Sequence, residues 1–289
     1  MKKTFFSSTE NSFFWGVLAL VWQVLFFYVP LAFLLSTSFV KFLPSSSTSY
    51  FSLGHYRALL DPVYGIIFLR SLFLALGTVS ATLIISYPVA YYLALRVQRF
   101  KTLWFALLVV PFWTNLLLLV YSWYFLLEND GLINTILLAL GLISKPLHLM
   151  NTAFAVYCGM VYCYLPFMLL PLYTSLEKIE PRLLEASSDL GATYWQTFKN
   201  VVLPLTAPGI KTGILLVFIP SFGEFVVPGL LGGDKHMYVG SVITHYFLTV
   251  RNVSQGSAFT CVSVLILLVL LAVGASVVAK FKKREGHRG

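Results

Sequence analysis

Glu224 is the only formally charged residue deep inside a long apolar run, and Pro220, Gly223, Pro228 and Gly229 crowd around it. That density of proline and glycine predicts a broken helix. A carboxylate in hydrocarbon is costly, so it faces protein or a water-filled cavity, and broken helices at membrane depth line such cavities. Three chemistries are open to it: an acceptor for a cation on a transport path, a proton-coupling site, or a structural hydrogen bond or ion pair with a neighbouring subunit. Side chains that could join it are Trp113, Asn115, Tyr121, Trp123 and Tyr124 in one neighbouring run, and Tyr157, Tyr162 and Tyr164 in the next. A second concentration of polar chemistry is Glu185-Ala186-Ser187-Ser188-Asp189-Leu190-Gly191, in a segment between apolar runs.

Elsewhere the reactive residue types are scattered. His55, His148, His236, His245 and His287 show no metal-ligand spacing. Cys158, Cys163 and Cys261 sit in apolar runs and read as small packing residues, with no disulfide or metal site expected. Neither a GxxxxGK[ST] phosphate loop nor a GxGxxG fingerprint occurs, so the chain is not expected to bind or hydrolyse nucleotide, or any cofactor, by itself. No Ser/His/Asp or paired-carboxylate constellation emerges, so no enzyme activity is expected.

The element that positions these residues is a membrane. The 289 residues are 58% hydrophobic and 11% charged, with a mean hydropathy of +0.83, whereas a soluble domain carries about 25% charged residues. A soluble enzyme, a disordered regulator and a disulfide-stapled module are excluded. The net charge of +9 comes from short basic clusters between apolar runs and forms no extended basic face. It reads as a topology signal, and no nucleic-acid partner is expected.

A spanning helix needs about 20 predominantly apolar residues. Six runs qualify, at roughly 13–35, 66–95, 103–127, 152–176, 209–231 and 258–279, within one transmembrane domain over 1–289. The first is too long for a signal peptide and ends without a small-residue cleavage site, so it reads as an uncleaved span. Fourteen of the twenty lysines and arginines fall in one alternating set of connections, including Lys2, Lys3, Arg96, Lys178, Lys199 and Arg288. Six fall in the other, including Lys145 and Lys235. The positive-inside rule then places both termini in the cytoplasm. Loops 39–65, 128–151 and 232–257 face outward, and Gly131–Leu142 is expected to form a short interfacial helix.

The longest cytoplasmic loop, 177–208, has legible helix punctuation. Pro181 at a first position and Gly191 past the end predict a helix over 181–190. Thr193 followed by Gln196 forms a capping box that opens a second helix, expected to end before Pro204. Leu183, Leu184, Leu190, Tyr194, Trp195, Phe198 and Val202 give this loop more apolar surface than a solvated one needs. They either lie on the membrane and the other loops or dock, helix in groove, on a cytoplasmic partner.

At Glu185-Ala186-Ser187, Gly191, Val201 and Leu203-Pro204 the chain resembles the EAA motif of ABC-importer permeases, in which E-A-A is followed after three residues by glycine, nine later by an aliphatic, and then by L-P. Every spacing fits, with Ser187 in place of the second alanine. The likeness is closer still to the spermidine/putrescine permease branch. It runs through Pro111-Phe112-Trp113-Thr114-Asn115, Asn129-Asp130-Gly131-Leu132-Ile133-Asn134, Tyr164-Leu165-Pro166-Phe167-Met168, Phe218-Ile219-Pro220-Ser221-Phe222-Gly223-Glu224-Phe225 and Leu230-Leu231-Gly232-Gly233. Where relatives often carry an arginine after the Trp-Thr-Asn segment, this chain has Leu119.

The resemblance implies an all-α polytopic membrane protein of six transmembrane helices with the type I ABC-importer permease fold, in a bacterial inner membrane. It implies an ABC ATPase dimer that binds the ATP, a second homologous permease, and an extracytoplasmic substrate-binding protein. Glu185, Ala186, Ser187, Asp189 and Gly191 would dock on the ATPase. For a polyamine cargo, Glu224 with Trp113, Asn115, Tyr121 and Trp123 would line the path, since ammonium groups take acceptor oxygens and aromatic faces. Other cargoes of the same machine (iron, sulfate, a phosphonate) and an ion-coupled secondary transporter using Glu224 for protons are the alternatives.

Overall fold

The computed structural model describes residues 8–42, 49–97, 99–233 and 236–285. Of the residues used above for topology, Lys2, Lys3, Lys235 and Arg288 lie outside the described residues, as does His287. In chain order, α1 (Ser8–Gln23) passes through a π turn, Val24–Tyr28, into α2 (Val29–Ser38). Strands β1 (Val40–Phe42) and β2 (Ser49–Phe51) pair antiparallel with Val40 opposite Phe51. Then follow α3 (Gly54–Ala58), α4 (Pro62–Leu95), α5 (Lys101–Val109), a 3-10 turn at Val110–Trp113, α6 (Leu116–Leu127), α7 (Leu132–Ala139) and α8 (Ala153–Leu176). Beyond these come α9 (Pro181–Asp189), α10 (Tyr194–Thr197), a π turn at Phe198–Val202, α11 (Leu203–Phe222) and α12 (Val226–Leu231). The chain closes with α13 (Val239–Thr244), a π turn at His245–Thr249 and α14 (Val253–Glu285).

Six helical stretches among the described residues are long and apolar enough to cross a membrane: Trp15–Ser38, Pro62–Leu95, Leu116–Ala139, Ala153–Leu176, Tyr194–Phe222 and Val253–Ser276. Two differ from the uninterrupted runs expected from hydropathy. The run at 103–127 is broken at Val110–Asn115, where Pro111 cannot donate to the helix and Asn115 restarts it by accepting from Leu117 N at 2.8 Å. The helix opened by the Thr193 capping box does not stop before Pro204. It continues through the π turn, with Leu203 N–H reaching back to Phe198 O, and that wider turn gives the proline ring room that a regular α turn denies.

The chain divides into two compact units, one of residues 65–242 and the other of residues up to 64 together with those from 243 onward. In the latter, α2 packs on α14, and polar groups stitch the unit together. Thr37 Oγ1 lies 3.0 Å from Ser257 Oγ, His55 Nδ1 2.7 Å from Gln255 Oε1, and Tyr64 Oη 2.6 Å from Tyr246 Oη.

In the 65–242 unit α8 is the central element: Met160, Met168, Leu169, Leu172 and Leu176 are wholly buried, and α6, α11 and α12 pack on it. Between helices in lipid the hydrophobic effect offers little, so close packing of small residues and satisfied hydroxyls must serve. On α4, Ser71, Ala75, Thr78, Thr82, Ser86 and Ala90 form such a wholly buried stripe at three- and four-residue steps. Thr78 and Thr82 donate back to Leu74 O and Thr78 O at 2.8 and 2.7 Å, so burying them leaves no donor unmatched.

Candidate functional site

The helix of the fifth span ends at Phe222, and the N–H groups of Gly223 and Glu224 bond back to Pro220 O and Ser221 O at 3.2 and 3.4 Å. A new helix, α12, begins at Val226, after three intervening residues. Pro228 lies in its first turn, where a missing N–H leaves no bond unmade, so this proline belongs to a helix start. Glu224 occupies the break and is 9% exposed. Its Oε1 accepts from Phe225 N at 3.0 Å and Val226 N at 2.9 Å, and its Oε2 accepts from Tyr164 Oη at 2.5 Å. The carboxylate thus offsets the positive end of α12 while Tyr164 of α8 fixes its direction. Two carboxylate oxygens offer about four lone-pair positions. Three donors are in place among the described residues, which leaves one acceptor direction on Oε2.

The other candidates for the path divide. Trp123 meets Tyr162 edge-on with ring centroids 5.7 Å apart, and Phe112 lies 5.3 Å from the same tyrosine. Trp113 is 83% exposed and Tyr121 45% exposed. Asn115 is exposed and its side-chain oxygen caps α6. No hydrogen bond or ring contact among the described residues joins these four to Glu224. They share its scaffold only, since α6 packs on α8 and on α12. The polar partner of Glu224 is Tyr164, one of the four tyrosines of α8 and one of three candidates that composition could not rank.

The segment between the fourth and fifth spans has the punctuation expected of it. Gly191 has φ of +76°, a left-handed conformation that favours glycine, and follows α9. Both arms of the Thr193–Gln196 capping box are formed. Glu185, Ala186, Asp189 and Gly191 are exposed, and Leu190 is 88% exposed. Ser187 points inward, with its Oγ 2.9 Å from Thr197 Oγ1, tying α9 to the base of the next helix.

Behind this loop stands α4. A cleft of about 470 Å³ is lined by Tyr91 and Arg96 on one side and Glu185, Asp189 and Tyr194 on the other. Rings continue the link, with Tyr87 5.6 Å and Trp195 5.4 Å from Phe198, and Tyr87 Oη lies 2.9 Å from Thr206 Oγ1. Sequence reasoning missed both the α4 side of this cleft and an ion pair at the loop's root, because residues so far apart in the chain carry no local signal of contact. In that pair Lys101 Nζ lies 3.0 Å from Glu177 Oε1, and Tyr173 Oη donates to the same oxygen at 3.1 Å. The hydrogen bond from Lys101 holds the Glu177 carboxyl below the usual carboxylate range.

Residues 86–285 match the family described as binding-protein-dependent transport system inner membrane component. The spermidine/putrescine transport system permease protein PotB of Escherichia coli (strain K12) is 42% identical over 253 residues, covering 87% of this chain and 92% of that one. The protein of the same name from Haemophilus influenzae is 39% identical over 251 residues, covering 86% of this chain and 87% of that one. A crystal structure of a bacterial ABC transporter involved in import of the acidic polysaccharide alginate superimposes with a TM-score of 0.69 at 17% identity, covering 93% of this chain and 96% of that one. The fold is that of an ABC-importer permease. With six apolar helices among the described residues, a family match over most of its length and relatives 42% and 39% identical over most of both chains, this chain belongs to the binding-protein-dependent transport system inner membrane components, as a multi-pass protein of the inner membrane.

Proposed function

We propose that this chain is one permease subunit of an ATP-driven importer whose cargo is a polyamine of the spermidine/putrescine class. The observation that carries the cargo is Glu224, a nearly buried carboxylate held by Tyr164 at a helix break, in a chain 42% identical to a permease named for those substrates. An ammonium group fits the remaining acceptor direction, whereas an anion would be repelled. Trp123 and Tyr162 on the neighbouring helices supply aromatic faces along the same path.

In this reading both termini are cytoplasmic, and α9 with Glu185, Ala186, Asp189 and Gly191 docks on one subunit of an ABC ATPase dimer. A second homologous permease completes the pore, and an extracytoplasmic binding protein delivers the cargo. ATP is bound by the ATPase subunits, and this chain carries no catalysis. Closure of the ATPases moves α9, and the ring contacts from α10 and the π turn to Tyr87 and Tyr91 carry that motion to α4. ATP must favour one conformation differentially, because equal affinity for both would shift nothing. A weak site at Glu224 suits transport, since cargo must leave again.

The test is uptake of radiolabelled spermidine and putrescine into proteoliposomes carrying the full complex, with and without internal ATP. Uptake that requires both ATP and the binding protein is expected. ATP hydrolysis stimulated by the binding protein without polyamine uptake would keep the machine and discard the cargo, and uptake driven by an ion gradient alone would discard the machine.

A further inference from the structure

The direction of the Glu224 carboxylate is slaved to the backbone of its own break, because Oε1 is held by the N–H groups of the next two residues. Whatever fixes residues 223–226 therefore fixes the carboxylate. Tyr164 does so from the side-chain end. From the backbone end the neighbour is α13, in the loop between the fifth and sixth spans. Gly240 lies there with its backbone directly against the Gly223 and Glu224 carbonyls. A Cβ built on Gly240 would collide with Gly223 O and would lie 2.8 Å from Gly223 C and 2.9 Å from Glu224 O. All three are main-chain atoms with no rotamer by which to move aside.

This close approach is itself anchored. Val239, 1% exposed, donates its N–H to Ser71 Oγ at 2.8 Å, and Ser71 of α4 is wholly buried. Val242, also buried, completes the contact surface of α13. A chain of fixed groups thus runs from Ser71 through Val239 and Gly240 to the carbonyls that flank Glu224. It includes the hydrogen bond from Val239 N to Ser71 Oγ and the backbone-to-backbone contact of the buried Gly240 with Gly223 and Glu224.

We propose that Gly240 and Ser71 are positioning residues for the cargo site: they brace the helix break from the loop between the fifth and sixth spans and so set where the Glu224 carboxylate points. The inference rests on the reading of Glu224 as a cargo acceptor. It adds that α13, in this loop, controls the site through main-chain packing. Sequence alone hides the arrangement, because a glycine in a loop most often marks a turn, and Gly240 is instead inside a helix and against another helix's end.

The experiment is a double-mutant cycle in the assembled, reconstituted complex, reading the maximal rate of spermidine uptake at saturating loaded binding protein. Thermal stability of the purified complex is measured alongside. Gly240→Ala is expected to lower the maximal rate about tenfold with Glu224 present, and less than about twofold in a Glu224→Gln background, since coupled sites are non-additive. The concentration of loaded binding protein giving half-maximal uptake should not move. Ser71→Ala should act in the same direction and Ser71→Thr, which keeps the hydroxyl, should restore uptake. If Gly240→Ala prevents assembly, the Ser71 variants carry the same cycle.

Equal losses with and without Glu224 would mean that Gly240 and Ser71 matter only to the fold, and would overturn the brace while leaving the cargo reading intact. Unchanged uptake in both Gly240→Ala and Ser71→Ala would do the same. Wild-type uptake by Glu224→Gln alone would overturn both.

Discussion

Replacing Glu224 with glutamine separates the charge of the site from its role as a helix cap. Glutamine keeps a side-chain oxygen that can accept from Phe225 N and Val226 N, bonds now made at 3.0 and 2.9 Å. Its amide can donate to Tyr164 Oη, which accepts as readily as it donates. What is lost is the negative charge. A hydrogen bond to a charged group contributes about 1.5–3 kcal/mol, so uptake of a polyamine should fall by roughly tenfold to a hundredfold. Alanine removes the cap as well, leaving Phe225 N, Val226 N and Tyr164 Oη without their partner in a site only 9% exposed. Losing a helix cap costs about 1 kcal/mol, and leaving the buried Tyr164 hydroxyl unmatched adds about 1–3 kcal/mol. Uptake in proteoliposomes and the melting temperature of the purified complex should therefore split the two variants. Glu224→Gln loses uptake at near wild-type stability, and Glu224→Ala loses both. Wild-type uptake by Glu224→Gln, or equal destabilisation by the two variants, would refute the reasoning.

Glu185→Ala should reduce ATPase recruitment, measured by co-purification, while leaving membrane insertion intact. Gly191→Ala should do so with an added strain of about 1–2 kcal/mol from its left-handed φ of +76°. Ser187→Ala restores the family's alanine and removes the 2.9 Å contact to Thr197, so it should cost about 1 kcal/mol of stability at most and leave ATPase binding unchanged in the same pull-down. Lys101→Met and Glu177→Gln should each destabilise slightly, and together show a coupling of about 0.2–1 kcal/mol, as for other half-exposed pairs. Because the folded Glu177 carboxyl titrates below its ordinary value of 4.5, this contribution is present above that pH and disappears as pH falls through the folded value. Melting curves of wild type and Lys101→Met should accordingly converge in acid, and a gap that widens there would contradict the pairing.

Much of this structure is legible in the chain because a bilayer imposes one dominant length. Six apolar runs emerge from hydropathy alone, and the clustered Pro220, Gly223 and Glu224 mark the break in the fifth span. Capping chemistry is equally local, so Pro181, Gly191 and the Thr193–Gln196 box could be read from fixed offsets. Facing is not local. In a helix apolar on every side no stripe tells Tyr164 from Tyr157 or Tyr162, so the partner of Glu224 stayed hidden among them. Asn115 suits a path by its residue type, and its position ahead of four leucines also makes it the N-cap of α6. Pro204 reads as a stop because the α repeat disfavours it, and a π turn leaves no mark in composition.

That π turn at Phe198–Val202 has a further consequence. A wide turn accommodates one residue more than the α repeat would, so it takes up an extra residue without turning the helix beyond it. Deleting one residue there and restoring a regular helix would leave the α9 side close to its present direction, whereas deleting one from the regular turns of α11 would swing everything on that side by about 100° around the axis and draw it in by about 1.5 Å. A graft of this loop from another permease would then present its docking face correctly with one residue fewer between Gly191 and Pro204, provided an α turn replaced the wide one. Along this segment a change of length therefore disturbs direction least at the wide turn and most in the regular turns of α11.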